Sequence, residues 1–426
     1  MFPSIIMMIF TSIYSVVDGL FVSNFVGKSA FAAVNLIMPF LMGISALGFM
    51  IGTGGSAIVA KTLGEGKIEN ANEYFSMLVY ITAIGGIIIA ILSMFLVKPV
   101  AILFGASGTL LDNCILYGRI LCISLPAFML QNVFQSFFVT AEKPHLGLRV
   151  IVIAGVTNMV LDFLFVAVLH FGLPGAGFAT VCGEFIGGLF PLFYFGRKNS
   201  SLLKLGKTHF HGRILLKTCT NGSSELMTNL SSSVVNALYN MQLMKFAGED
   251  GVAAYGTIMY VNFIFVSIFF GYAIGSAPIV SYHYGANNQD ELKNLFHKSI
   301  RLIGTWAVSL FIIAQLIATP LATLFVGYDQ GLFELTRSGF RLYSFAFLIN
   351  GFNIYGSAFF TALNNGLLSA LISFLRTLAF QMAVVLLLPL LLGINGVWCS
   401  VAIAELLTLC VTGTFIVLKR NTYHYL

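Results

Sequence analysis

The chain has 426 residues, of which 58% are hydrophobic and only 9% are charged. A typical soluble domain has about 25% charged residues, so a water-soluble fold of this length would leave too much apolar surface in water. The composition excludes that class and predicts a polytopic membrane protein. The net charge of +6 requires no nucleic-acid partner, because basic cytoplasmic loops of a membrane protein face anionic lipid.

Twelve apolar runs predict the membrane-spanning elements. The runs are long and lack the alternation of a transmembrane β-barrel, so the spans are predicted to be helices. The first run has no basic n-region and no small-residue cleavage site, and we interpret it as a span, not as a signal peptide. The twelve predicted spans are 1–26, 30–60, 74–97, 112–141, 146–170, 174–196, 214–245, 251–283, 294–318, 331–362, 366–391 and 394–419.

The basic residues predict the orientation of the chain. If the N-terminus is cytoplasmic, fifteen of the 22 Lys and Arg residues fall on the cytoplasmic side and six on the opposite side. The remaining one, Arg376, falls inside predicted helix 11. This distribution follows the positive-inside rule. We therefore expect a multi-pass protein of the cell (inner) membrane with both termini in the cytoplasm.

The chain contains an internal repeat. The segment SVVDGLF at 15–21 returns as SVVNALY at 233–239, and GGSAIVAKTLGEG at 54–66 matches GSAPIVSYHYGAN at 275–287. After a three-residue insertion in the region of helices 7 and 8, the offset stays at 221, as between Gly54 and Gly275 or Glu184 and Glu405. Each half crosses the membrane six times, so the halves run in the same direction. Transporters with such parallel repeats bind substrate between halves that rock against each other.

The predicted fold is an all-α polytopic membrane protein with twelve helices in two six-helix lobes. The N-terminal lobe is residues 1–196, a cytoplasmic linker is 197–213, and the C-terminal lobe is 214–426. A duplicated channel or assembly scaffold is an alternative. A channel is disfavoured because the sequence has no repeated selectivity segment. Alternating access explains why a membrane protein would contain two equal helix bundles, because one bundle rocks against the other. We therefore favour a transporter.

Two aspartates in the first lobe are candidates for an ion-coupling site. A carboxylate deep in a bilayer is costly, and such residues normally face the bundle interior and carry function. Tyr14 precedes Asp18 by one helical turn, and Asn158 precedes Asp162 by the same interval. Each carboxylate therefore shares a helix face with a polar partner. Three further residues are predicted to complete an oxygen-rich pocket: Thr180, Gln131 and Gln135.

Such a pocket can hold one cation in either of two ways. Ionised carboxylates and neighbouring oxygens suit a hard alkali cation. In a dry pocket the two carboxylates repel each other, so a proton can occupy the site near neutral pH. The expected coupling ion is thus H⁺ or Na⁺, and a purely structural acid pair is the alternative. The second half has Asn236 and Ala383 at the matching positions, so coupling is expected in the first lobe alone.

Other intramembrane polar residues are interpreted as packing contacts or as cavity wall. The repeat mates Glu184 and Glu405 are expected to be structural, through an interhelical hydrogen bond from a protonated acid. The six cysteines occur singly, without zinc or redox spacing, and no cofactor or metal is expected beyond a coupling Na⁺. The substrate-cavity candidates are Gln131, Gln135, Glu225, Asn236, Asn350 and Asn353.

These residues resemble the multidrug and toxic compound extrusion (MATE) family over nearly the whole chain. The shared features are twelve helices in two lobes, the parallel repeat and a helix 1 that contains YSVVDGLFVSNFVGKSAFAAV. The chain is most similar to the branch related to DinF and bacterial multidrug exporters. That branch has an aspartate in helix 1 and an N-x-x-x-D motif in helix 5, which here are Asp18 and Asn158 with Asp162.

The resemblance implies roles for particular residues. It matches Pro3 to a proline associated with bending of helix 1 and Glu225 to an acid of helix 7. Helix 4 has glutamines where the branch often has asparagine. Helix 10 lacks the carboxylate used by the other large branch. The implied cation site consists of Tyr14, Asp18, Asn158, Asp162 and Thr180.

We therefore expect a secondary antiporter, monomeric in the membrane, that exports amphipathic or cationic organic compounds in exchange for H⁺ or Na⁺. The main alternative is a flippase for lipid-linked oligosaccharides from the same wider superfamily. Flippases tend to have several basic residues in the cavity, whereas only Arg376 stands within a helix here. An enzyme is not expected, because the seven histidines fall at loops or helix ends and form no catalytic constellation.

Overall fold

The structure, a computed structural model, describes residues 1–327 and 329–425. Within these ranges, eleven helices are long and apolar enough to cross a membrane. One of the eleven, Gly212–Gly285, has 74 residues and is broken at Gly248, where φ is 61° and ψ is −148°. Counting its two arms separately gives twelve spans, and the predicted all-helical class is confirmed.

The first six helices are nearly contiguous and are joined by short turns. Several extend beyond the apolar runs that predicted them, because their polar ends project past the lipid-facing part. Their bounds are α1, Phe2–Phe21 with a π-helical extension Val22–Val26; α2, Lys28–Gly64; α3, Ile68–Leu103; α4, Gly108–Thr140; α5, Pro144–Asp162 with a π-helical extension Phe163–Val168; and α6, Gly172–Gly196.

The second six helices repeat this order. Here α10 contains a short 3₁₀ turn and α11 contains a π-helical segment. The bounds are α7, 212–247; α8, 249–285; α9, Gln289–Val326; α10, Gln330–Tyr343, Ser344–Ala346 and Phe347–Ala362; α11, Gly366–Phe374, Leu375–Ala379 and Phe380–Leu392; and α12, Ile394–Tyr423.

The repeat is also visible in the backbone of the turns. Three pairs of residues separated by 221 positions all have positive φ angles, which side-chain-bearing residues rarely adopt. Because these turns end or begin equivalent helices, their matching register supports the sequence alignment independently of side-chain identity. The pairs are Gly27 with Gly248, Gly66 with Asn287, and Gly172 with Gly393.

The buried apolar side chains form separate clusters along the two halves. The largest cluster takes its members from residue 235 onward, with the single exception of Ile5 in α1. The other clusters take theirs from residues 22 to 203. A Cβ atom on Gly271 of α8 would lie 2.5 Å from the Ile5 Cα. The start of α1 therefore packs into the second half of the chain.

The two halves meet closely where α2 and α8 end. A Cβ atom on Gly64 would overlap the carbonyl oxygen of Tyr282, and one on Gly285 would overlap that of Lys61. Gly64 and Gly285 are repeat mates, since 285 − 64 = 221. Only glycine allows the backbones to approach so closely. This contact closes the predicted cytoplasmic side of the molecule.

The segment between the two halves is fastened to α3. The backbone N–H of Lys204 donates to Asn72 Oδ1 at 2.6 Å, and His211 Nε2 lies 3.0 Å from Glu73 Oε1. Leu203 is fully buried in an apolar cluster of the first half. The polar linker, residues 197–213, is therefore docked on the first half over most of its length, and we call it the strap. Little free chain remains before α7.

Candidate functional site

Helices α1, α2, α4, α5 and α6 line a cavity in the first half. Glycines allow these helices to approach. A Cβ on Gly155 of α5 would lie 2.9 Å from the Tyr14 ring, and one on Gly183 of α6 would lie 3.0 Å from the Ala154 carbonyl. The polar side chains around the cavity include Tyr14, Asp18, Gln131, Asn158, Thr180 and Glu184. Four of the five predicted coupling residues thus share one cavity.

The fifth predicted coupling residue, Asp162, is not among the residues that line this cavity. Its side chain is 0% exposed, and its carboxyl group lies beside that of Asp18. Asn158 Nδ2 donates to Thr180 Oγ1 at 3.4 Å. The predicted set is therefore brought together, with α1 supplying one carboxylate and α5 the other.

Several oxygen atoms of the predicted coupling residues have no hydrogen-bond donor. Within residues 1–327 and 329–425, both carboxylate oxygens of Asp162 are buried without a hydrogen-bond partner, and so are Asp18 Oδ1 and Asn158 Oδ1. Buried polar atoms normally have partners, because leaving one unsatisfied costs about 1–3 kcal/mol. A set of unpartnered oxygens around two adjacent carboxyl groups is chemically suited to a proton or an alkali cation.

The described residues contain no group of three or more His, Cys, Asp or Glu side chains positioned to hold a metal ion together. Asp18 and Asp162 are therefore an adjacent pair of acids, and Glu184 is a third acid on the same cavity. This geometry differs from that of a multidentate carboxylate site for a divalent metal, which uses six to eight oxygens at close range.

π-helical turns adjoin the intramembrane charges. One begins at Val22, four residues after Asp18, and another begins immediately after Asp162. A third, Leu375–Ala379, contains Arg376. Single π turns within α-helices are frequent at functional sites, because the extra residue changes the direction in which side chains point.

Glu184 belongs to the first cavity, although the sequence interpretation made it structural. An interhelical hydrogen bond is present, but the Ser124 hydroxyl of α4 donates to Glu184 Oε2 at 2.5 Å, whereas the expectation was a hydrogen bond donated by the protonated acid. The same side chain also lines the cavity with Asp18. A signal was available in the sequence, because Glu184 follows Thr180 by one helical turn and so shares its face.

Glu405 does not make the hydrogen bond from a protonated acid that the sequence predicted for it. Arg376 Nε donates to both of its carboxylate oxygens, at 2.8 and 3.1 Å. Asn353 Nδ2 donates to Glu405 Oε2 at 2.7 Å. The contact is thus a buried ion pair between α11 and α12, not a hydrogen bond from a protonated acid. The sequence placed both charges in helices but could not show that those helices turn the two side chains toward each other.

A central cavity lies between the two halves. Its wall includes Thr53 and Ser136 of the first half, together with Glu225 and Arg376 of the second half. Glu225 is half-buried and is the one predicted substrate-cavity residue placed here. Glu225 thus lies on the wall of the central cavity, and its role toward substrate stays a prediction.

A third cavity lies within the second half. Asn236 and Asn350 line it, and Asn236 Oδ1 accepts a hydrogen bond from Tyr255 at 3.1 Å. Arg376 and Glu405 lie in the same wall. The polar residue at the repeat position of Asp18 thus makes a neutral hydrogen bond in the second half.

The remaining candidates lie apart from the cavity surfaces described above. Gln135 is buried within α4, and Asn353 is buried against Glu405. Pro3 occupies the first turn of α1, where a proline removes no helical hydrogen bond. Its proposed part in bending α1 stays a prediction, as do the functional roles of the other candidates.

In the part of the chain that the structure describes, twelve spanning helices in two repeated halves, with a polar cavity in each half and one between them, define a two-lobed membrane transporter. The MatE family model matches residues 3–164 and 226–408, which together make up most of the chain. The chain belongs to the MatE family. Members of this family are transporters, not enzymes.

Three curated proteins are similar to the chain over most of its length. The Multidrug export protein MepA of Staphylococcus saprophyticus is 21% identical over 420 residues, covering 97% of this chain and 91% of its own. MepA of Staphylococcus haemolyticus is 23% identical, with 96% and 89% covered. A FAD transporter of Shewanella oneidensis is 22% identical, with 73% and 70% covered.

Solved structures share the fold. A MATE protein in complex with MaL6 superposes with a TM-score of 0.94 at 23% identity, covering 99% of this chain and 95% of the other. An outward-facing MATE transporter of the MOP superfamily gives a TM-score of 0.93 at 23% identity, with 99% and 94% covered. These likenesses establish the two-lobed fold.

Proposed function

We propose that this protein is a secondary active antiporter that exports amphipathic, often cationic organic molecules in exchange for inward H⁺ or Na⁺. Membership of a transporter family supports the general class, and two curated relatives are named multidrug export proteins. The observation that supports the coupling step is the adjacent pair of Asp18, which lines an oxygen-rich cavity, and Asp162, which is buried beside it. The protein acts in the cell membrane as a monomer with both termini in the cytoplasm.

The ion would act by neutralising the acid pair. When both carboxylates are ionised in a site of low dielectric, they repel each other strongly, and this favours separation of α1 from α5. A proton or Na⁺ held by the pair removes the repulsion and allows the helices to pack. Asn158, Thr180 and Tyr14 would supply further oxygens around the ion.

Helix α1 can transmit this change because it touches both halves. Tyr14 packs on Gly155 of α5 in the first half, whereas Ser4 and Ile5 pack on Gly271 of α8 in the second half. A shift of α1 against α5 therefore alters its contact with the other lobe. Occupancy of the ion site would in this way bias the relative position of the lobes.

Alternating access would then move the central cavity between the two sides of the membrane. In the structure the predicted cytoplasmic side is closed by the Gly64 and Gly285 contact. Glu225 in the central cavity offers a negative charge to a cationic substrate. Export requires that this contact open to load substrate from the cytoplasm and close again to release it outside.

The test is dye efflux from proteoliposomes, first under a pH gradient alone and then under a sodium gradient alone. The proposal predicts uphill efflux driven by one or both gradients, and the response identifies the coupling ion. Efflux driven by neither gradient would overturn antiport and favour the flippase, for which transport of lipid-linked oligosaccharide would be measured in the same vesicles.

A further inference from the structure

Arg376 occupies a position shared by two cavities. It lies in the π-helical segment Leu375–Ala379 of α11, and its side chain is 11% exposed. It lines both the central cavity, with Glu225, and the cavity of the second half, with Tyr239. A charged side chain in such a place is available to a molecule in either cavity.

The guanidinium group is held from one side only. Its Nε atom donates to both oxygens of Glu405, which is 2% exposed and is also bonded by Asn353. To the residues that the structure describes, the two terminal nitrogens of Arg376 make no hydrogen bond. A guanidinium has five N–H donors in a planar fork, so four remain on the terminal nitrogens. Glu405 therefore orients the group and leaves its outer edge for another acceptor.

The fold itself does not require an arginine here. The position matching Arg376 in the first half is Gly155, since 376 − 221 = 155. The acid matching Glu405 is the half-buried Glu184, which accepts from the Ser124 hydroxyl and has no basic partner among the described residues. An acid at this place can thus be held by a neutral donor, and the arginine needs a separate explanation.

We propose that Arg376 is an anion-binding group of the substrate site and that the protein takes zwitterionic aromatic molecules bearing a carboxylate. The carboxylate would bind the terminal nitrogens of Arg376 in a bidentate pair. The cationic part of the same molecule would lie toward Glu225 in the central cavity. This inference rests on the proposed export function and narrows its substrate class.

The walls beside Arg376 fit a flat ring system. Tyr239 and Tyr255 stack with their ring centroids 5.4 Å apart and an angle of 6° between the planes. Both line the cavity of the second half together with Phe270, which also lines the central cavity. Aromatic side chains favour stacked or edge-on contacts with a planar ligand.

A matched pair of dyes tests this inference. Rhodamine B is a zwitterion with a free carboxylate, and its ethyl ester has the same ring system but is a cation. Binding of each dye to the full chain in lipid nanodiscs is measured by fluorescence anisotropy without any ion gradient. The wild type should bind the acid more tightly than the ester. The variant Arg376→Gln should weaken binding of the acid by about tenfold or more, as expected for a lost charge-assisted pair, and leave the ester nearly unchanged.

Two further variants make the result decisive. Arg376→Gln leaves the buried Glu405 carboxylate without its partner, so the double variant Arg376→Gln/Glu405→Gln, which removes both charges, is measured beside it. Arg119→Gln changes an exposed arginine elsewhere and should bind both dyes as the wild type does. Equal wild-type affinity for acid and ester, or equal weakening of both in the double variant, would overturn the inference and make Arg376 only the counter-ion of Glu405.

The binding assay and the efflux assay can fail separately. Preference for the acid without gradient-driven efflux would contradict the proposed antiport and support anion binding by Arg376. Gradient-driven efflux without any preference for the acid would support antiport and contradict anion binding by Arg376.

Discussion

Arg376 Nε lies 2.8 Å from Glu405 Oε1, so the intramembrane acid of α12 is neutralised within the protein. Its repeat mate Glu184 shares a cavity with Asp18, and among the described residues lining that cavity none is basic. The two lobes thus have matching helices and different charge balance. We therefore propose that a cation from outside the protein neutralises the first lobe and that ion coupling takes place there.

The Arg376 and Glu405 pair should contribute strongly to stability. Removing one partner of a buried ion pair leaves an uncompensated charge, and Arg376→Gln should destabilise the protein by about 3–5 kcal/mol. The double variant Arg376→Gln/Glu405→Gln should lose less, because no charge is stranded. Unfolding in lipid nanodiscs measures both. The control is Arg337→Gln, whose partner Glu334 is exposed and which should change stability by about 0.5 kcal/mol or less. Losses that add in the double variant would contradict the pairing.

Glu184→Gln should weaken the apparent affinity for the coupling ion without abolishing transport. The carboxyl group of Glu184 lines the cavity of Asp18, and whenever it is ionised its negative charge increases the attraction of a cation to that cavity. We expect the ion concentration that gives half-maximal efflux to rise by roughly two- to tenfold. Ser124→Ala removes the hydrogen bond and keeps the acid, so it should have the smaller effect. An unchanged ion dependence in Glu184→Gln would leave this residue with a structural role alone.

Closure of the predicted cytoplasmic side should depend on Gly64 and Gly285. A leucine at either position would collide with backbone of the facing helix, so Gly64→Leu should hold the lobes apart and reduce efflux by about tenfold or more. The accessible face is measured with a cysteine at Thr228 in the central cavity, labelled by an impermeant thiol reagent from each side of the membrane. Labelling from the cytoplasmic side should increase.

The matched control for this substitution is Gly85→Leu, because a Cβ at Gly85 would meet nothing within 4 Å. It adds the same side chain on α3 away from the lobe contact. Equal labelling patterns in Gly64→Leu, Gly85→Leu and the unsubstituted chain would mean that the glycine contact does not control access.

The strap between the lobes should resist proteolysis while it is docked on α3. Asn72 accepts from the Lys204 backbone, and Ser76 accepts from that of Gly206 at 3.0 Å. The double variant Asn72→Ala/Ser76→Ala removes both acceptors, so trypsin should cleave after Lys204 and Lys207 several-fold faster, since cleavage follows local opening. Asn294→Ala on α9 serves as the control. Identical cleavage rates would show that these bonds do not hold the strap.

The helices, the repeat and the acid pair of the first lobe were predictable from the sequence for physical reasons. Long apolar runs determine which segments lie in lipid. One-turn spacing places Tyr14 with Asp18 and Asn158 with Asp162 on common faces. The cost of an intramembrane carboxylate turns both acids inward, and α1 and α5 pack together.

Contacts that depend on the rotation of one helix against another were not predictable. Arg376 reaches Glu405 because close glycine contacts between α11 and α12, such as that of Gly396 with the Leu388 carbonyl, set how these two helices are turned. Hydropathy gives no information on that angle. The strap was likewise expected only as a polar linker, since its docking depends on Leu203 finding an apolar pocket in another part of the chain.

The most direct test of ion coupling in the first lobe is gradient-driven dye efflux by Asp18→Asn, Asp162→Asn and Asp18→Asn/Asn236→Asp at matched protein levels in proteoliposomes. Asp112→Asn, which removes an exposed acid, serves as the control and should transport normally. We expect all three site variants to lose gradient-driven efflux. The double variant should not recover it, because the second lobe has Ala383 at the position that matches Asp162 and so cannot form an acid pair. Unchanged efflux in both single variants, or efflux restored by Asn236→Asp, would contradict the assignment.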